Sequence, residues 1–78
     1  MLRQVTLNNG TFAEIDMDRV YRRAFEFGDG TVSTKQWYYG SPLPTGRGDV
    51  PVEEIRVGDT IQMKDKSFKK LVRIHWLS

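Results

Sequence analysis

The segment DMDRVYRRAFEF, residues 16–27, decides which class of fold the chain is assigned. Met17, Val20, Tyr21, Ala24 and Phe25 recur at i, i+3, i+4, i+7 and i+8, the apolar stripe of an amphipathic helix. Asp16 stands where an N-cap would stand, and Asp18 suits the positive end of a helix dipole. Gly28 suits the left-handed position beyond the last turn. Arg19, Arg22, Arg23 and Glu26 fall on the opposite face. A competing reading carries the preceding strand on through Asp16, Met17 and Asp18. The helical period holds over about three turns and predicts a helix from Asp16 to Phe27.

Outward from that segment the signals are those of strands and turns. Gln4–Leu7 and Phe12–Ile15 flank Asn8-Asn9-Gly10-Thr11, and Asn-Gly is a strong hairpin signal. Gly28-Asp29-Gly30 reads as a turn. Thr31–Tyr39 reads as one strand, rich in β-branched and aromatic residues. Its alternation puts Val32, Thr34, Gln36 and Tyr38 on one face, and Ser33, Lys35, Trp37 and Tyr39 on the other. Gly40–Val50, punctuated by Pro42, Pro44, Gly46 and Gly48, reads as a long loop. Thr60–Lys64 and Phe68–Leu77 alternate as strands around Asp65-Lys66-Ser67. The predicted fold is α+β: one helix packed on a small, curved, mainly antiparallel sheet of four to five strands, a partial barrel, in a single domain over residues 1–78.

Composition narrows the chemistry. Seventy-eight residues without cysteine exclude disulfides, thiolate metal sites and thiol nucleophiles. The single histidine, His75, excludes a histidine-rich metal site. No cofactor or metal is expected. Neither a signal peptide nor an apolar run of membrane-spanning length is legible, so a complete cytoplasmic product is expected and a membrane partner is not. The net charge of +2 is close to balance, but residues 64–73 carry Lys64, Lys66, Lys69, Lys70 and Arg73 against Asp65 alone.

Arg47-Gly48-Asp49 spells the adhesion tripeptide that integrins read. Without a secretion signal or cysteine, Gly46 and Gly48 read more simply as residues allowing positive φ in a turn. The longer stretch from Gly48 to the end resembles the opening block of Hint (Hedgehog/intein) domains. The matching residues are Gly48, Pro51, Val52, Glu53, Glu54, Ile55, Val57, Gly58, Asp59, Ile61, Val72, Arg73 and Trp76. Members of that family self-process through a Cys or Ser nucleophile upstream of this block and need further downstream His and Asn residues. Here Ser41 is the sole nucleophile candidate and no base accompanies it. What the resemblance implies is therefore an inactive, truncated relative.

No catalytic constellation is legible. Glu53 and Glu54 are adjacent and diverge, and His75 has no partner nucleophile. Trp37-Tyr38-Tyr39 is the cluster that points to binding. Tyr38 alternates with Trp37 and Tyr39, so one sheet face cannot hide all three rings. With Lys35 beside them and Arg47 and Asp49 on the neighbouring loop, they form an expected protein-docking site, since Trp, Tyr and Arg dominate interface hot spots. The expected function is a non-enzymatic module docking on a larger protein or complex, by analogy with small inhibitors encoded by phages and mobile elements. The alternative partner is nucleic acid, bound by Lys64, Lys66, Lys69, Lys70 and Arg73. A second copy of the chain is a further candidate partner.

Overall fold

A computed structural model describes residues 1–7, 9–33 and 35–77. The expected turn residue Asn8, the expected strand residue Thr34 and the last residue, Ser78, lie outside them. Residues 16–27 form no helix. They belong to two strands, β2 (Phe12–Tyr21) and β3 (Arg23–Phe27). The fold is nearly all-β rather than α+β, and the only helical segment among the described residues is a 3-10 turn at Val52–Glu54.

The physical reasons are local and tertiary together. Phe27 lies off the helical stripe, whereas Tyr21, Arg23, Phe25 and Phe27 alternate on one strand face. A helix of about twelve residues is marginal unless packing rescues it, and here strand pairing wins. β3 pairs antiparallel with the C-terminal strand, with Phe25 opposite Ile74 and Phe27 opposite Leu71. The helix-capping signal was real but serves another purpose. Asp16 Oδ1 accepts the Asp18 N–H at 3.0 Å, the contact an N-cap would make. It closes an irregularity in β2, where the register against its neighbour shifts between Asp16 and Val20. The N-terminal amine pairs with Asp18 on the same turn.

The remaining strands are β1 (Leu2–Thr6), β4 (Val32–Ser33), β5 (Trp37–Tyr39), β6 (Pro42–Thr45), β7 (Gly48–Pro51), β8 (Thr60–Gln62) and β9 (Phe68–Trp76). They build a three-stranded sheet, β1-β2-β5, and a six-stranded sheet, β4-β3-β9-β8-β6-β7, antiparallel at every pairing. The chain changes sheet at Arg22, between β2 and β3. Thr31–Tyr39 is thus not one strand: β4 joins the larger sheet and β5 the smaller. Gly40–Val50 is not a loop either, because β6 and β7 pair as a hairpin. Pro42 and Pro44 suggested a loop, yet their fixed φ suits extended backbone. β6 meets β8 only at Thr45 opposite Ile61, so the missing proline N–H groups break little of the ladder. The expected β1–β2 and β8–β9 hairpins form.

Three hairpin turns share one device. Asn9, Asp29 and Asp65 each turn an Oδ1 onto the backbone N–H and side-chain hydroxyl of the residue two further on, Thr11, Thr31 and Ser67. The intervening residue takes positive φ in each: Gly10 at 85°, Gly30 at 87° and Lys66 at 70°. At residues 28–30 and 64–66 this is the three-residue turn with a left-handed bulge.

The core lies between the sheets. Tyr21, Phe25, Phe27, Leu43, Val50, Val52, Ile55, Ile61 and Leu71 form one buried cluster, with Trp37, Tyr39, Met63 and Ile74 packed against it. A register shift between Glu26 and Phe27 places an extra β9 residue there, so Leu71 and Ile74 both face inward although they are three apart. Val52 and Leu71 are fully sealed.

Candidate interaction surface

β2, β3, β5 and β9 meet where the chain switches sheets. Arg19, Tyr21 and Arg23 point the same way because they alternate along extended backbone. The result is a ladder of planes. The Arg19 guanidinium sits over Tyr39 at 4.2 Å. Tyr39 meets Tyr21 edge-on with centroids 5.5 Å apart. Arg23 lies 5.0 Å from the Tyr21 ring and 3.3 Å from the Trp76 ring. Guanidinium–ring contacts of this kind contribute about 0.5–1 kcal/mol each at exposed sites. Burial pushes the Tyr21 phenol above its ordinary pKa, partly opposed by nearby Arg23. Trp76, at the end of the ladder, is 76% exposed. Neither Arg19 nor Arg23 is ion-paired with a carboxylate among the described residues.

The expected docking residues are dispersed around this ladder. Tyr39 belongs to it. Tyr38, opposite Val20 on the other face of the sheet, is 37% exposed. Trp37 is half-buried, and Lys35 Nζ lies 4.3 Å from its ring centroid. Both line a cleft of about 600 Å³ beside β4 and the β8–β9 turn. Trp37 Nε1 is buried with no acceptor among the described residues. Arg47 is not free at a loop tip. Its Nε and Nη2 donate to the Asp59 carboxylate at 3.2 and 3.0 Å, and Nη2 also reaches the Glu54 carbonyl at 3.2 Å. That fork holds the Asp59 carboxyl below the usual carboxylate range, helped by the Arg56 N–H. Asp49 is exposed on β7. Gly48 takes positive φ, 95°, as expected. Gly46 instead allows close approach, since a Cβ there would meet Thr60 Oγ1 at 2.5 Å.

The basic set does not form one face. Lys69 reaches across to Asp29 on the exposed turn before β4, with Nζ 2.8 Å from Oδ2, and this contact holds the Asp29 carboxyl far below its ordinary pKa. Lys70 and Arg73 lie on the outer face, while Lys64 and Lys66 occupy the β8–β9 turn. His75 Nε2 sits 2.8 Å from Glu26 Oε1. Ser41 is buried. The residues resembling the Hint block run from β7 through β9.

Sequence reading missed Arg19, Tyr21, Arg23 and Trp76 as a set. The signal was present as Arg-x-Tyr-x-Arg, but a period of 3.6 put the arginines opposite the tyrosine. Among the described residues no group of three or more His, Asp or Glu side chains could hold a metal ion. Nor, among those residues, is any helix long and apolar enough to cross a membrane. Comparison with protein-family models, curated proteins and solved structures returned no match.

Proposed function

We propose that this chain is a non-enzymatic module that docks on a larger protein or complex through the arginine–aromatic ladder. The observation that carries this reading is the exposed Trp76 indole, stacked on Arg23 and continuous with Tyr21, Tyr39 and Arg19. Large rigid rings beside guanidinium groups supply apolar contact and directional hydrogen bonds at low ordering cost, the composition of interface hot spots. An exposed tryptophan of this kind is expensive to leave in water and gains on burial against a partner.

The dispersal of Lys64, Lys66, Lys69, Lys70 and Arg73 favours this reading over the nucleic-acid alternative. Small phage- and mobile-element-encoded inhibitors offer the nearest analogy for a single domain acting by occlusion.

The test is affinity capture with quantitative mass spectrometry, comparing the parent chain with Trp76→Ala, Arg19→Ala and the control Lys64→Ala/Lys66→Ala. A partner protein retained by the parent and control should fall at least tenfold with either ladder variant, with circular dichroism unchanged. Equal capture by all four chains overturns the proposal. A salt-sensitive gel shift of oligonucleotides, lost in the control variant, would instead favour the basic turn.

A further inference from the structure

We propose that the cleft beside β4 and the β8–β9 turn binds a small amphipathic carboxylate, with its apolar body inside and its anionic head at the rim. This site is separate from the arginine–aromatic ladder and stands or falls independently of protein docking.

The cleft has a volume of about 600 Å³, within the range of about 300–1,000 Å³ common for small-ligand sites. Its depth is apolar. Phe25, Phe27, Leu43 and Ile61 are core residues that nonetheless line it, with the half-buried Met63 and the Trp37 ring beside them. The indole Nε1 is sealed away, so these side chains offer an occupant no hydrogen-bonding group at depth. Phe25, Phe27, Leu43 and Ile61 are an almost wholly covered floor; the apolar surface the cleft leaves to solvent is that of the half-buried Trp37 and Met63 and the exposed Val32, and it favours an apolar occupant.

The rim has the opposite character. Lys35, just before β5, and Lys64, in the β8–β9 turn, both line the cleft. Neither ammonium lies within ion-pair distance of a carboxylate among the described residues. A third lysine on the lining, Lys69, is already held by Asp29. Asp65 is the lone acid on the lining, and its Oδ1 is engaged by the Ser67 N–H and hydroxyl. Those bonds keep the Asp65 carboxylate ionised, so the two ammonium groups of Lys35 and Lys64 against this one carboxylate leave the mouth net positive. Apolar depth beneath two unpaired ammonium groups matches a molecule with one anionic end.

The experiment is a methyl NMR titration of the full chain, following the Ile61 and Met63 methyl signals. Dodecanoate, dodecanol and dodecyltrimethylammonium are compared below their micelle concentrations. Dodecanoate should shift both signals saturably, with a Kd at least tenfold below that of dodecyltrimethylammonium. The Lys35→Glu/Lys64→Glu variant should reverse that order, and Lys66→Glu, a neighbour off the lining, should preserve it. These positions are exposed, so the variants keep the core intact, and a dispersed amide spectrum checks this. Indifference to the head group, or no saturable shift, overturns the proposal. So does displacement of dodecanoate, at lower concentration, by an acidic peptide carrying a phenylalanine, which would reassign the cleft to a protein segment.

Discussion

The two sheets differ in what they contribute. The six-stranded sheet holds most of the buried cluster, including the sealed Leu71. In the three-stranded sheet β1 has no buried residue, and Leu2 and Phe12 are 65% and 63% exposed. One sheet stores the stability, while the other extends the surface and completes the ladder at the seam. The difference teaches that apolar content alone does not locate the core. Leu2 and Leu71 are the same residue type, and only the second is covered on both sides by paired strands and an opposing layer.

The hardest way to break this comparison is Leu71→Ala. It should lower unfolding stability by about 2–5 kcal/mol, whereas Leu2→Ala should change it by about 0.5 kcal/mol or less. Urea denaturation measures both, and equal effects would erase the distinction. Next is Gly40, where β5 runs against β2. Its φ is 87°, and a Cβ would lie 2.0 Å from the Glu14 carbonyl oxygen. Gly40→Ala should therefore cost more than the roughly 1–3 kcal/mol of backbone strain alone. Gly10→Ala, at similar φ in open space, should cost only the strain. A smaller effect sharpens the comparison of turns: Lys66→Gly relieves a left-handed lysine and should stabilise the β8–β9 hairpin by about 1 kcal/mol.

The smallest effect is electrostatic. Asp29, Asp59 and Asp65 are all held below their ordinary pKa of 3.8, chiefly by hydrogen bonds from Lys69, Arg47 and Ser67 respectively. Near and below pH 3.8 the unfolded chain takes up protons that the folded chain resists, so stability falls as pH falls through that range. Asp29→Asn should flatten part of this acid slope in pH-dependent urea melts. The magnitude is modest because the partners are solvent-exposed.

Of the larger sheet, two of six strands were legible from sequence as they stand. β8, β9 and the Asp65 turn follow from alternation and from turn chemistry, which act within a few residues. The segment over residues 16–27 was not, because its apolar spacing fits a helical stripe nearly as well as a strand. What arbitrates is β9, about fifty residues downstream in sequence, which no local window contains. The same error of period concealed Arg19, Tyr21 and Arg23 as a set. The cleft was harder still: Trp37 stood out, but Phe25, Leu43, Ile61 and Lys64 converge there only after the strands curl together. For Arg47, an apparent surface motif proved to be a brace onto Asp59.

The place of β9 bears on how the chain is made. It lies between β3 and β8, so the strand that leaves the ribosome last of the nine joins two pieces already emerged. Until it arrives, β3 with Phe25 and Phe27 and β8 with Ile61 share no pairing strand, and two strand edges stay open. Such a nascent chain is adhesive, and stalling or truncation ahead of Phe68 should channel it toward aggregates or chaperones rather than toward a smaller stable product.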